Sequence, residues 1–367
     1  MMRFGTGNRA VVDAALAAGC KLFAGYPVTP ATEILEAAAS EFPRHGRVFV
    51  PAEGEMAAIS LVGGGSLGGY RCMTATSGLG LSLMAEGLSF YSGMTELPGV
   101  IVVQQRWGPG DGSLGPGQDC YQQATRGVGH GDLSLIVLAP KSVQELADHV
   151  GLAFELADRH HMFVLVLGDQ IVAMTSEQYR VGEPAEPVRR VTGFGRGDRV
   201  ILPELVAVDE KAGDFDALEA VARRWEAKYR QVRSQEQRAE YTGPAGGCDL
   251  LVVAQGSLAR VAECALPELS RLWPGASLFR PVTLWPFPAD ALGEAASRAR
   301  HVVVAELSMG QMHADVAAAL AGRSPHGREV GLVNWLGGRS PTPSQFAQRV
   351  AECVAGSSRE TSRAGAR

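Results

Sequence analysis

The chain has no Cys-x-x-Cys pair, no long apolar run and no excess of positive charge, and each absence removes a class of function. Its six cysteines are scattered (Cys20, Cys72, Cys120, Cys248, Cys264, Cys353). That spacing builds neither a zinc site nor an iron–sulfur cluster and fits reduced thiols, so no metal ligands are assigned. No apolar stretch approaches the roughly 18 residues of a membrane span. A net charge of −5 offers no basic face for nucleic acid. The start, Met1-Met2-Arg3-Phe4-Gly5-Thr6-Gly7, lacks the apolar region of a signal peptide, so a cytoplasmic location is expected.

What is present describes a globular protein. Hydrophobic residues make up 46% and charged ones 20%, and 367 residues exceed one ordinary core, which predicts two domains. Short apolar strands alternate with helices through about residue 182. Strands are expected at 21–24, 48–50, 71–75, 100–104, 135–138 and 163–167. Helices are expected from Asn8, as cap, to Ala18, then over 31–41, 55–69, 81–91 and 142–158. This pattern predicts an α/β fold with a doubly wound parallel sheet covered on both faces. Residues 183–247 read as a connector without chemistry of its own. It carries a charged helix, Phe215 to Arg238, in which Trp225, Tyr229 and Val232 mark a packing side. Alternation resumes in a smaller α/β domain over 248–355, and 356–367 read as a disordered tail.

The stretch Val48-Phe49-Val50-Pro51-Ala52-Glu53-Gly54-Glu55 ends a strand at a proline and places two carboxylates at a helix start. Acids there complement the helix dipole. The glycines and alanines behind them, through Gly69, imply that another backbone or a ligand approaches that helix closely. In open α/β sheets ligands bind beyond the carboxyl ends of strands. Four loops of the first domain reach that edge: 25–30, 52–55, 76–80 and 104–109. Arg106, after a buried strand, can clamp a substrate carboxylate through its fork, or form a structural salt bridge to Glu53 or Asp111.

Two motifs fail by context. Gly63-Gly64-Gly65-Ser66-Leu67-Gly68 matches a dinucleotide fingerprint by letters, but it follows a helix and precedes a strand. Gly110-Asp111-Gly112 imitates the start of a magnesium–diphosphate motif. That motif needs asparagines further on, and the chain has only Asn8 and Asn334.

Several strings in order resemble the α subunits of thiamine-diphosphate-dependent 2-oxoacid:ferredoxin oxidoreductases. They are Gly25-Tyr26-Pro27-Val28-Thr29-Pro30, Ala52-Glu53-Gly54-Glu55-Met56-Ala57-Ala58, Met73-Thr74-Ala75-Thr76-Ser77-Gly78 and the run from Ala124 to Asp132. In the second half Phe279 to Pro288, Glu306 to Met312, Gly337-Gly338 and Pro341-Thr342-Pro343 continue the resemblance. It covers nearly the whole chain and is nearest to the branched-chain 2-oxoacid enzymes, with the 2-oxoglutarate enzymes close behind.

The resemblance implies a pyrimidine-binding domain followed by a transketolase-C-terminal-like domain. It implies oxidative decarboxylation of a 2-oxoacid to an acyl-CoA, with coenzyme A as co-substrate and electrons passed to ferredoxin. Thiamine diphosphate would be shared with a β subunit that holds the Mg2+–diphosphate site and a [4Fe-4S] cluster, in an α2β2 or larger assembly. Glu55 matches the glutamate that hydrogen-bonds the aminopyrimidine and favours its imino tautomer, which takes the proton from the thiazolium carbon. Glu53 is the fallback. Thr29 and Arg106 match substrate-binding positions, Tyr26 and Pro27 would line the pyrimidine pocket, and Ser77 and Gly78 belong to the cofactor-binding loop. The sequence departs from the pattern at Trp107 and Asp111, where relatives more often carry a small residue and a hydrophobic or hydroxyl residue. Trp107 then either shapes the substrate pocket or points into the core, with Asp111 in solvent. A one-chain thiamine carboligase would need a diphosphate site, which is absent from the sequence. A non-catalytic scaffold is the remaining rival, and the joint retention of Thr29, Glu55 and Arg106 argues against it.

Overall fold

The computed structural model describes residues 1–126, 128–190, 215–244, 248–322 and 329–364. The first half is built on a seven-stranded sheet in the order Thr283–Trp285, Ile136–Leu138, Phe163–Asp169, Gly99–Gln105, Cys72–Thr76, Leu22–Gly25 and Val48–Pro51. All neighbours are parallel except the edge strand Thr283–Trp285. The strands Cys72–Thr76, Gly99–Gln105 and Phe163–Asp169 are buried along their whole length, as their continuous apolar runs require when helices cover both faces.

Strand order reverses between Leu22–Gly25 and Cys72–Thr76. The chain leaves the first toward one edge of the sheet and the second toward the other. That divergence opens a crevice at the carboxyl ends, where the loops after Gly25, Pro51, Thr76 and Gln105 gather.

A five-stranded sheet forms the second half, in the order Gly331–Asn334, Ala299–Glu306, Cys248–Val253, Ser277–Pro281 and Ala239–Thr242. Neither half is closed by its own sequence segment. Thr283–Trp285, from the second half, completes the first sheet, and Ala239–Thr242, from the expected connector, is an antiparallel edge of the second. The helix Phe215–Gln235 buries Tyr229 and Val232 as its spacing predicts, and Tyr229 meets Trp285 edge-on at 6.1 Å. Residues 191–214 and 245–247 of the connector lie outside the described residues.

A fully buried arginine spans these segments. Arg280 donates to Glu145 at 3.0 Å, to Glu240 at 3.0 Å and to the Ala139 carbonyl at 3.1 Å. Lys141 adds bonds to Glu240 and Glu263. A guanidinium can be this deeply buried only because all three of its nitrogens are satisfied.

Four local expectations change. A strand, Met2–Thr6, precedes the first helix and pairs with Ser176–Arg180. Thr6, not Asn8, caps that helix, its side chain accepting from the Arg9 amide, and Asn8 is buried one position inside. The single helix expected over 81–91 is three pieces, Gly78–Leu83, Ala85–Leu88 and a wide-turn segment Ser89–Met94. The last helix, Pro343–Ala364, continues past Gly356 into the segment that reads as a tail.

The small residues of Glu55–Leu67 also receive a specific explanation. A Cβ at Gly63 would lie 2.5 Å from the nearest ring atom of Tyr91, and one at Gly65 would lie 2.5 Å from Cys72 Sγ. At those two positions side chains of the protein itself claim the space, whereas Gly64 between them faces open space.

Candidate active site

Glu55 is the first residue of the helix Glu55–Leu67 and is only 5% exposed. Gly54 before it is in extended backbone, so the turn from strand to helix directs the carboxylate inward. Thr76, at the end of a neighbouring buried strand, donates its hydroxyl to Glu55 Oε1 at 3.2 Å. Gly80 faces both groups, and a Cβ there would overlap Thr76 Oγ1 and the Glu55 carboxylate. A buried acid therefore has one oxygen tied to its own sheet, with Gly80 packed directly against it. Glu53, two residues earlier, is exposed.

The second cluster stands around Arg106, whose side chain is 11% exposed. Its Nη1 donates to the Thr29 carbonyl at 3.1 Å and its Nη2 lies 3.5 Å from Asp111 Oδ1. Its Nε is buried without a partner. The expected pairing of Arg106 with Asp111 is thus present, and Thr29 meets Arg106 through its carbonyl. Tyr26 and Pro27, on the same loop, are exposed. Asn8 steadies this loop from below, donating to the Pro30 carbonyl at 2.8 Å.

Ser77, Gly78 and Arg106 line one cleft of about 370 Å3 between the two halves, together with Leu79, Trp107, Asp119, Ser308, Met309 and Leu336. Trp107 is half-buried and faces this cleft, which decides between its two possible positions. Three lining residues carry buried polar atoms without a protein partner: Ser77 Oγ, Arg106 Nε and Asp119 Oδ1. Unpaired buried polar atoms are costly unless something else pairs with them, so their convergence marks a place built to receive a polar group. Cys120 also lines the cleft, but burial, with Asp119 adding to it, pushes its thiol up to about 12 and keeps it protonated.

The loop carrying Arg106 is held by residues that local pattern did not single out. Asp119 Oδ2 accepts the Gly108 amide at 2.6 Å. Gln311, from the second half, donates to the Asp119 carbonyl at 2.8 Å and accepts the Gln122 amide at 2.8 Å. Gln118 exchanges two bonds with Leu307 and donates to the Gln255 carbonyl. Thr76 and Gly80 stood inside a loop read as functional, whereas Asp119 and Gln118 had no sequence signal because their partners are distant in the chain. Among the described residues no group of His, Cys, Asp and Glu could hold a metal ion, and no helix is long and apolar enough to cross a membrane.

Residues 13–199 match the thiamine-diphosphate-binding family of pyruvate flavodoxin/ferredoxin oxidoreductases, and residues 248–346 match core domain II of pyruvate:ferredoxin oxidoreductase. The chain belongs to the 2-oxoacid:ferredoxin oxidoreductase family. It is 41% identical to the ketoisovalerate oxidoreductase subunit VorB of Methanothermobacter thermautotrophicus, over 96% of this chain and 97% of that one. It is 32% identical to the 2-oxoglutarate synthase subunit KorA of Methanocaldococcus jannaschii, over 95% and 99% of the two chains. Among solved structures it superposes on the 2-oxoglutarate:ferredoxin oxidoreductase of Magnetococcus marinus, which has 2-oxoglutarate, coenzyme A and succinyl-CoA bound. The TM-score is 0.81 at 26% identity, covering 96% of this chain and 65% of that one. The chain thus spans about two thirds of that longer polypeptide. A split-gene transketolase, at TM-score 0.56 and 14% identity, shares the fold. Within this family the first half of the chain is a thiamine-diphosphate-binding domain and the second is transketolase-C-terminal-like.

Proposed function

We propose that this chain is the α subunit of a 2-oxoacid:ferredoxin oxidoreductase whose substrate is a branched-chain 2-oxoacid. The observation that carries the reading is the Glu55 corner: a buried carboxylate with one oxygen fixed by Thr76, where Gly80 lets the next helix pack directly against both groups. That carboxylate fits an aminopyrimidine, which offers a ring nitrogen to a buried acid held in one orientation. Thiamine diphosphate, when bound, supplies a nucleophilic carbon and an electron sink for decarboxylating a 2-oxoacid. Glu55 then holds a proton between its carboxylate and the ring nitrogen, and Thr76 keeps the carboxylate from rotating away. Ser77 and Gly78, which line the neighbouring cleft with Arg106, would contact the cofactor, and Tyr26 and Pro27 would close over the ring.

Arg106 orients the substrate carboxylate with the donors that Thr29 does not use, and Thr29 supports the oxygen of the 2-oxo group. Leu79, Trp107, Met309 and Leu336 give the cleft much of its apolar lining. This favours a hydrocarbon side chain over that of 2-oxoglutarate, in accord with the likeness to the ketoisovalerate subunit. The overall conversion joins the acyl group to coenzyme A, releases carbon dioxide and passes two electrons to ferredoxin. A β subunit would supply the Mg2+–diphosphate site and the [4Fe-4S] cluster, in an α2β2 or larger cytoplasmic assembly. Exposed Met56, Leu79 and Leu83 flank the Glu55 corner and offer that subunit an apolar seat.

The test is Glu55→Gln in the copurified complex. The assembly should persist, and 2-oxoacid-dependent reduction of a viologen dye should fall by ~10²–10⁴. Unchanged turnover would transfer the role to Glu53 or end the assignment. A colourless homodimer without thiamine diphosphate would instead establish a scaffold.

A further inference from the structure

We propose that the contact of Gly115 with Gly338 positions the substrate clamp: the second half rests, backbone against backbone, on the turn that follows Arg106 and Trp107. This role depends on the functional reading above and adds to it the two positioning residues through which the second half sets substrate affinity.

The closeness of the contact is the first observation. A Cβ at Gly115 would lie 2.5 Å from the Gly338 carbonyl oxygen and 2.7 Å from the Gly338 Cα. One at Gly338 would lie 2.7 Å from Ser113 Oγ and 3.0 Å from the Gly115 Cα. A side chain on Gly115 would therefore have to move main chain, which yields far less readily than the end of a flexible side chain. Gly338 has a second reason to be glycine, its φ of +78°. Gly115 has no positive φ and is constrained by the contact.

Both sides of the contact are braced. The Trp335 amide donates to the Glu306 carbonyl at 3.2 Å and Asn334 donates to the Ser308 carbonyl at 3.1 Å. These bonds tie the loop before Gly338 to the end of the strand Ala299–Glu306. Across the contact, the Gly115 amide donates to Ser113 Oγ at 2.9 Å and the Ser113 amide to the Trp107 carbonyl at 2.9 Å. The Trp107 amide in turn donates to the Gly115 carbonyl at 3.0 Å. A displacement of Gly115 thus passes through one hydrogen bond to Trp107 and one peptide to Arg106.

The cleft supplies the third observation. Trp107 lines it from the first half, and Leu336, two residues before Gly338, lines it from the second. Arg106 meets Asp111, within the same turn, at 3.5 Å. Spreading Gly115 from Gly338 moves the guanidinium, its partner and an apolar wall together. Glu55 keeps its bond to Thr76, which stands on separate elements.

The experiment uses the complex of this chain with its partner subunit, as wild type, Gly115→Ala, Ser113→Ala and Gly46→Ala. Gly46 has a φ of +65° but faces open space, so Gly46→Ala strains the backbone without a contact. In dye reduction with ketoisovalerate, Gly115→Ala should raise KM about ten- to hundredfold with kcat within about threefold, since a misplaced clamp weakens binding and leaves the Glu55 corner in place. Ser113→Ala removes the acceptor of the Gly115 amide and adds no atom; it should show the same split at about three- to tenfold, and it carries the test where Gly115→Ala does not assemble. Gly46→Ala should lose stability in denaturant and keep the wild-type KM. Hydrogen exchange at the Trp107 and Ser113 amides should be faster in Gly115→Ala and unchanged in Gly46→Ala. An unchanged KM in Gly115→Ala and Ser113→Ala, a fall in kcat as large as the rise in KM, or a KM rise matched by Gly46→Ala would overturn the proposal by making the contact one of stability alone. A wild-type complex that turns over no 2-oxoacid would remove the functional reading alone if Gly115→Ala still speeds that exchange, and both claims if it does not.

Discussion

The Glu55 corner and the Arg106 cleft share one sheet edge but are built by different means. Glu55 stands on the first turn of a helix, bonded to the adjacent strand through Thr76, and every participant lies between residues 54 and 80. Arg106 stands on a loop whose position is fixed by Asp119, by Gln311 from the far half and by the Gln118–Leu307 pair. The acid is thus set by rigid local elements, and the substrate clamp by long-range contacts. A change to the second half should reach the clamp without reaching the acid, so chemistry and substrate choice can vary separately on this scaffold.

The largest expected effect lies at the first corner. Gly80→Ala would drive a methyl group into the Glu55 carboxylate and Thr76 hydroxyl. Dye reduction should fall by ~10²–10³, and the melting temperature should fall as well, because both displaced groups are buried and overpacking them costs about 1–3 kcal/mol. Activity close to wild type would mean that the carboxylate need not hold its observed position.

A smaller effect, on stability rather than turnover, is expected where the halves are joined. Arg280→Met leaves Glu145 and Glu240 without their shared guanidinium and should cost about 2 kcal/mol in denaturant unfolding, discounted because Glu240 is partly exposed. The pH dependence sharpens this. Burial pushes the Glu240 carboxyl up, but hydrogen bonds from Arg280 and Lys141 outweigh it and hold the group at about 2. A carboxyl depressed in the folded state adds stability that is present above its unfolded value, about 4.3, and is lost as pH falls toward 2. The variant should therefore lose part of the acid limb of the stability profile, and an unaltered limb would remove Glu240 from the joint.

The smallest effect tests the second corner. Asp119→Ala deletes the acceptor of the Gly108 amide, two residues from Arg106. KM should rise by about tenfold with a lesser change in kcat, since one hydrogen bond to a charged group is lost from the clamp and none from the Glu55 corner. A fall in kcat alone would break the separation of the two regions.

Several of these features can be read from the chain directly. Glu55, Ser77 and Arg106 each follow an apolar strand, and the parallel sheet implied by those strands brings their carboxyl ends together. Trp225, Tyr229 and Val232 pack on one side of their helix because a period near 3.6 leaves them no other arrangement. Other features escape such reading. Asn8 has the composition of a helix cap, yet Thr6 does the capping, since a strand unseen in the pattern ends there. Thr283–Trp285 looks like part of the second domain and completes the sheet of the first. Whether Arg106 met Glu53, Asp111 or only a ligand was open, because the answer depends on how the 107–115 turn folds back. Residues 191–214 of the connector stay outside the comparison, since the described residues exclude them.

Taken alone, the sequence determined which side chains stand at the ends of buried strands, because alternation of apolar runs and helices admits few arrangements. Tertiary structure decided which of those side chains touch. Thr76 reaches Glu55 across a helix, Asp111 meets Arg106 because the 107–115 turn folds back, and Gln311 and Leu307 brace the Arg106 loop from the far half of the chain; no local propensity encodes distances of that kind.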